Sequence, residues 1–170
     1  MAAVSVILET LRLRLIPVTR EMAIDLLGAN PLAGLRWAPS FAPVHIPAQA
    51  FIDSSRKFAG LHLFLSKELG EVLGYSRFEV ERSAPETVWL YYGVAEQRQR
   101  RGFGTEGVKA QVEWLSDQPR IEAVKAYVHW TNEGSIVLLR KLGFRRATTG
   151  KQELWVLDVT SATDESAVTP

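Results

Sequence analysis

The sequence contains no cysteine. That excludes disulfide frameworks, cysteine-ligated zinc and thiol nucleophiles together, and it agrees with a cytoplasmic location. Histidine is nearly as scarce. His45, His62 and His129 are the 3 present, too scattered to give metal-ligand spacing, so no metal is expected. No apolar run approaches the roughly 20 residues that cross a bilayer. The stretch from Met1 to Thr10 lacks the basic and then apolar pattern of a signal peptide. Charge of one sign is also missing: 20 Lys and Arg face 19 Asp and Glu, for a net charge of +1. No global field therefore draws the chain to nucleic acid, and neither nucleic acid nor membrane is expected as a partner.

What remains is the composition of an ordinary globule, with 170 residues, 46% hydrophobic and 23% charged. This length fits one domain over residues 1–170, closed by a small, polar and peripheral tail at 160–170. Ile7 to Ile16 reads as a strand, with Leu11, Leu13 and Leu15 alternating with Arg12 and Arg14. Thr19 can cap a helix through Leu27, and Gly28 follows its end. Residues 28–47 read as a long loop holding Trp37, Phe41 and His45. Long loops with aromatics are more often functional than idle, so these three are candidate acceptor-side residues, with the core as the alternative place for Trp37 and Phe41. Pro47 suits the first turn of a second helix reaching about Phe58.

Strand patterns then cover 61–66, 71–81 and 87–94, separated by turn chemistry at Gly70 and at Ser83-Ala84-Pro85. Beyond them the texture changes to a helix over 105–116, a strand over 123–128, a helix over 132–142 and two strands near 144–148 and 153–159. The fold class expected is α+β: a mixed, mostly antiparallel sheet of six to seven strands with about four helices packed on it. One right-handed strand–helix–strand crossover should make part of the sheet parallel. Self-association through the final strands is left open as a homodimer.

The stretch richest in chemistry joins a strand to a helix and runs from Val94 to Gly107. Gly102 and Gly104 let backbone approach a ligand closely. The amides that open the next helix have no intrahelical partner, and with the helix dipole they favour an anion. Arg98, Arg100 and Arg101 add positive charge just upstream. Physical chemistry alone points to a phosphate-rich ligand. Gly102, Gly104 and Gly107 also spell G-x-G-x-x-G, with Glu122 following 20 residues after Gly102, which mimics a dinucleotide fingerprint. A nicotinamide oxidoreductase would need that motif directly after the first strand and two crossover halves, and neither is present. Nucleic-acid binding by the arginines is disfavoured by the balanced charge.

Gln99-Arg100-Arg101-Gly102-Phe103-Gly104 resembles the Q/R-x-x-G-x-G/A pyrophosphate loop of GNAT acetyltransferases. Asn132-Glu133-Gly134-Ser135 followed by Leu138 to Phe144 resembles the later motif of the same family, N-x-x-S/A then L-x-x-K-x-G-F. The opening from Thr10 to Leu15 is similar to the branch that includes ribosomal-protein N-terminal acetyltransferases. The resemblance implies acetyl transfer from acetyl-CoA, as cosubstrate, to a primary amine by direct attack in a ternary complex. It also implies that Gln99, Arg100, Arg101, Gly102, Phe103, Gly104 and Thr105 hold the pyrophosphate, and that Asn132 and Ser135 flank the pantetheine arm. The Val94 amide would bind the carbonyl oxygen, with Tyr92 and Gly93 beside the thioester.

Many members carry a tyrosine on the last helix as proton donor to the leaving thiolate. Leu139 stands at the matching position, and Ser135 is the nearest substitute by motif. Glu79, Glu86 and one of Tyr91 and Tyr92 are candidates for moving the amine's proton; the two tyrosines alternate, so one of them should face the cleft. The reading that competes most directly is a non-catalytic acyl-CoA-binding module. The acceptor amine, whether a protein N-terminus, a lysine or a small molecule, is left open.

Overall fold

A computed structural model describes residues 6–30, 32–54 and 58–160. The polar tail expected at 160–170 lies outside them except for Thr160. The first expected strand is two, β1 (Leu8–Glu9) and β2 (Leu13–Pro17), paired antiparallel with Leu8 opposite Leu15. The break has a local cause. The Thr10 amide donates to the Leu13 carbonyl at 2.9 Å and Thr10 Oγ1 accepts from the Leu13 amide at 2.8 Å, closing a turn whose tip, Leu11, is 89% exposed. Leu13 and Leu15 are buried as the alternation requires.

Helix α1 (Arg20–Leu27) starts where expected, with Thr19 Oγ1 accepting from the Met22 amide at 3.2 Å. The long loop after it contains a short strand, β3 (Arg36–Trp37), and a 3-10 turn at Pro43–His45. Helix α2 (Ala48–Ile52) is a single turn and a half, shorter than Pro47 to Phe58 led one to expect; residues 55–57 lie outside the described part. Three long strands follow, β4 (Ala59–Ser66), β5 (Glu71–Val80) and β6 (Thr87–Val94). Then come α3 (Phe103–Ser116), β7 (Ala123–His129), α4 (Glu133–Lys141), β8 (Arg145–Arg146) and β9 (Gln152–Asp158).

The sheet is larger than expected. Nine strands among the described residues join it in the order β1-β2-β4-β5-β6-β7-β9-β8, with β3 pairing parallel to β5 where β6 has ended. Apart from that short pair, only β6 and β7 run parallel, the two strands joined by the crossover through α3. The even-numbered residues of β4, β5 and β6 face α3: His62, Ser76 and Tyr92 lie in one cross-strand row, and Ser76 Oγ donates to Gln111 of α3 at 2.9 Å. Phe78 and Phe58 pack on Trp114 of the same helix. Glu106 ties the first turn of α3 to the opening of the chain, accepting from Thr10 Oγ1, the Arg12 amide and Arg12 Nε at 2.6–2.7 Å. Burial works against the charge on that carboxylate, but these donors hold its pKa below the ordinary value.

The feature that makes a site is where β6 and β7 part. Their parallel pairing covers only Thr87, Val88 and Trp89 against Ala123, Val124 and Lys125. Strand β6 continues to Val94 and β7 to His129, so both run on with a gap between them.

Candidate active site

The glycine loop enters α3 as its residue types dictate. Gly102 is the N-cap residue with φ 80°, a left-handed conformation that costs glycine nothing. Arg100 also takes positive φ, 59°. The first intrahelical bond runs from Glu106 N to Gly102 O, which leaves the amides of Phe103, Gly104 and Thr105 without a helical partner. A Cβ on Gly104 would lie 3.3 Å from Val94 and 3.4 Å from Leu138, so glycine keeps the space between the loop and α4 open.

That space is one wall of a groove of about 930 Å³ running from the loop to the first turns of α4. Val94, Gln99, Arg100, Gly102, Gly104 and Thr105 line it on the loop side. Asn132, Ser135, Leu138 and Lys141 line it on the α4 side. The dipole and free amides of α3 and the side chains of Arg100 and Lys141 suit it to a long, phosphate-bearing ligand. A pyrophosphate and a pantetheine arm fit this chemistry. Not all of the expected loop residues line it. Phe103 is turned into the core with the Arg12 guanidinium 4.5 Å above its ring. Arg101 is absent from the lining, and its carbonyl accepts from Arg12. Arg98 is held by Glu71 at 2.5 Å, an ion pair that anchors the loop to β5.

At the inner end of the groove the backbone alternates. The Ala95 amide donates to Leu73 on β5 at 2.8 Å, so the Val94 amide points to the other edge, into the gap left by β7. Gln99 Nε2 fixes this peptide by donating to the Val94 carbonyl at 3.0 Å. Across the gap, Asn132 caps α4 by accepting from the Ser135 amide at 3.1 Å. Tyr92 reaches towards Ser135 from β6, with its hydroxyl buried. Burial pushes the phenol above its ordinary pKa, against the pull of the Ser135 hydroxyl, so it stays protonated. Leu139 is fully buried in the core beneath and offers no proton.

A second, smaller cavity of about 280 Å³ opens on the other side of the sheet. Tyr91 and Tyr92 both line it, although they project from opposite faces of β6. The expectation that only one of the two could reach the cleft does not hold, because the gap passes through the sheet and takes side chains from both faces. Tyr75, Tyr127, His129 and Gln152 complete its rim, while Asn132 and Ser135 are common to both cavities. Gly93 lines the large groove, with Tyr75 behind it. A Cβ there would meet the Tyr75 ring at 2.8 Å, so the missing side chain makes room for that ring.

Sequence reasoning missed Tyr75, Tyr127 and Gln152. The signal was present: Lys125, Tyr127 and His129 alternate onto one face of β7. His129 is four residues past Lys125, as Gly93 is four past Trp89, so the two sit level across the gap.

Other candidates are not brought to either cavity. Trp37, Phe41 and His45 pack on one another, with Phe41 stacked on His45 at 5.4 Å and tilted to Trp37 at 6.2 Å, and Phe41 is buried in the core. None of the three lines either cavity. Glu79 pairs with Arg77 at 3.2 Å and stands opposite Trp89, five residues and roughly 17 Å of strand from Val94. Glu86 lies before β6 begins, at the far end from Val94. His62 is buried under α3, where desolvation lowers its pKa to about 4.

A family model described as an acetyltransferase (GNAT) domain matches residues 12–145. Among solved structures, the chain is similar to a ribosomal L7/L12 alpha-N-protein acetyltransferase, RimL, at 15% identity and a TM-score of 0.65, covering 91% of this chain and 98% of that one. It is similar to the ribosomal-protein-S5-alanine acetyltransferase of Vibrio fischeri at 15% identity and a TM-score of 0.64, covering 92% and 98%. It is similar to AAC(6')-Ib, solved with ribostamycin and coenzyme A, at 21% identity and a TM-score of 0.55, covering 66% and 72%. No curated protein matches the sequence. At these identities the solved structures bear on the fold alone.

Proposed function

The chain belongs to the GNAT acetyltransferase family, and we propose that its reaction takes place in the gap between β6 and β7, with acetyl-CoA in the large groove and the amine entering from the opposite face. The enzyme moves an acetyl group from acetyl-CoA to an amine. The observation that carries the placement is the meeting of three features at one point: the unpaired α3 amides, the Val94 amide turned into the gap, and the two cavities that share Tyr92, Asn132 and Ser135.

The residues then divide the work. The α3 amides and Arg100 hold phosphate, and Asn132 flanks the arm while capping α4. The Val94 amide donates to the carbonyl oxygen as negative charge develops there, a kind of interaction whose loss costs about 10²–10³ in kcat in other acyl transfers. The amine attacks directly, without an acyl-enzyme, since no cysteine exists and His129 is bonded to Thr131 rather than to Ser135. It must be neutral to attack, and an α-amine has a pKa of about 8. His129, level with Gly93, is placed to take its proton through water; imidazole is the side chain suited to that task near neutral pH. Tyr92 donates a hydrogen bond to the departing sulfur, its buried hydroxyl having no hydrogen-bond partner among the described residues. A phenol whose pKa is raised is a donor of hydrogen bonds rather than of whole protons, so the proton that ends on sulfur comes from the amine. A cytoplasmic enzyme fits this reading.

The test is a thermal shift with acetyl-CoA, CoA, NAD and NADP at about 1 mM. A site with Kd near 10 μM stabilises by about 2.7 kcal/mol. A shift with the CoA species alone, together with thiol release on adding amine, is expected. A shift with NAD or NADP and none with CoA would overturn the assignment.

A further inference from the structure

The smaller cavity differs from the CoA groove in chemistry. Among its lining residues there is no carboxylate, lysine or arginine. Its walls are tyrosine rings together with the uncharged side chains of Asn132, Ser135 and Gln152 and the imidazole of His129. Tyr75, Tyr91 and Tyr127 face it, and Tyr127 is stacked on Trp89 at 4.9 Å yet 57% exposed. Trp130, 56% exposed, stands just past His129 at the end of β7. The charges nearest this face are already paired and already stacked. Arg77 lies 4.1 Å from the Tyr91 ring centre and bonds Glu79; Lys125 lies 5.6 Å from the Trp89 ring centre and bonds Glu81 at 3.0 Å.

Three consequences follow. A polycationic acceptor needs carboxylates to replace the water around each charge, and this cavity offers none. The carboxylates at its edge, Glu79 and Glu81, are already taken up by Arg77 and Lys125 and leave second and third positive charges without a partner. At about 280 Å³ the cavity lies at the low end of ligand pockets, room for one flat group and its amine rather than for a multi-ring sugar. Exposed tyrosine rings give a flat apolar partner its best contact.

We infer that this cavity is the acceptor site and that it selects a primary amine with a single positive charge, carried beside a flat apolar group that stacks on Tyr91 and Tyr127. The inference rests on the acetyl-transfer reading above. The same chemistry is offered by an aromatic residue at a peptide N-terminus and by a free arylalkylamine. The amine nitrogen bonds to the acetyl carbon, the carbon–sulfur bond breaks, and the proton lost from nitrogen ends on the CoA sulfur.

Initial rates of thiol release with acetyl-CoA would be compared for phenethylamine, the peptide Phe-Gly-Gly, spermidine and kanamycin. Either aromatic amine should exceed both polycations in kcat/KM by about tenfold or more, and the better of the two identifies the source. Tyr127→Ala should raise the acceptor KM about tenfold and leave the acetyl-CoA KM unchanged, with Tyr127→Phe restoring it. Equal or better turnover of spermidine or kanamycin would overturn the inference, as would an unchanged acceptor KM in Tyr127→Ala. Calorimetric titration of phenethylamine into CoA-saturated protein separates the two levels. Binding that Tyr127→Ala weakens about tenfold, without turnover of any amine, supports the cavity and overturns acetyl transfer. Turnover without the aromatic preference does the reverse.

Discussion

The two cavities that meet at Val94 are built from different materials. The larger leans on backbone, with amides at the start of α3, glycines at 102, 104 and 134 and the capped end of α4, beside the side chains of Arg100 and Lys141. The smaller is made of side chains: tyrosines from β5, β6 and β7, with His129 and Gln152 from the ends of β7 and β9. A site made of amides suits a ligand that never changes, because it depends on where the chain turns rather than on what it carries. A site made of rings can be re-cut by single substitutions without disturbing the sheet. The comparison teaches that the donor and acceptor halves of this enzyme answer to different kinds of mutation.

The largest expected effect is on the backbone side. Gly104→Tyr should fill the channel between Val94 and Leu138 and weaken CoA by about a hundredfold or more, removing the roughly 2.7 kcal/mol of ligand stabilisation from the thermal shift. The apo protein should still melt cooperatively, and retained CoA affinity in that variant would place the phosphates elsewhere. Next is Leu139→Ala. Leu139 is 0% exposed, so the substitution should cost about 2–5 kcal/mol of stability through lost burial and a cavity. Below its lowered melting temperature kcat should be unchanged. A loss of turnover at an unchanged melting temperature would mean that α4 contributes chemistry at this position.

The same contrast explains what could be read from the sequence. The glycine loop and the Asn132 cap were legible because backbone sites are local: consecutive residues supply the turn, the amides and the cap. Most elements of the sheet were legible from alternation for the same reason. The break at Thr10 was not, because a threonine that bonds Leu13 at both backbone groups overrides a strand pattern that continues through it. Strand β3 was not, since two residues pairing with an edge left free by β6 leave no periodic trace. The acceptor cavity was least legible. Its rings come from three strands separated by up to 52 residues in sequence, between Tyr75 and Tyr127, and only the register of β6 with β7 brings them together. Trp37, Phe41 and His45 drew attention because they share one loop, and in the fold they share a small cluster of their own.

On the side-chain half, His129→Asn should lower kcat/KM by about 10²-fold near neutral pH, the low end of a positioned base's contribution. The defect should narrow as pH rises past about 8, where an α-amine sheds its proton unaided. A defect that stays constant with pH would make His129 a wall of the cavity and not a base.

The smallest expected effect sits where the two halves touch. Tyr92 lines both cavities, and its phenol is held above the ordinary tyrosine pKa by burial, the Ser135 hydroxyl pulling the other way. Tyr92→Phe keeps the ring and removes one hydrogen-bond donor, so kcat should fall by about tenfold, the worth of one ordinary hydrogen bond, while the KM for acetyl-CoA holds. The raised pKa also sets a sign. The neutral phenol is the donor, so the activity that depends on it should persist through pH 10 and be lost only above the folded value. Ser135→Ala removes the hydroxyl that opposes this shift and should move the alkaline limb further up. Should Tyr92→Phe instead raise the acetyl-CoA KM with kcat unchanged, the tyrosine belongs to the binding groove alone, and the departing sulfur is served by water.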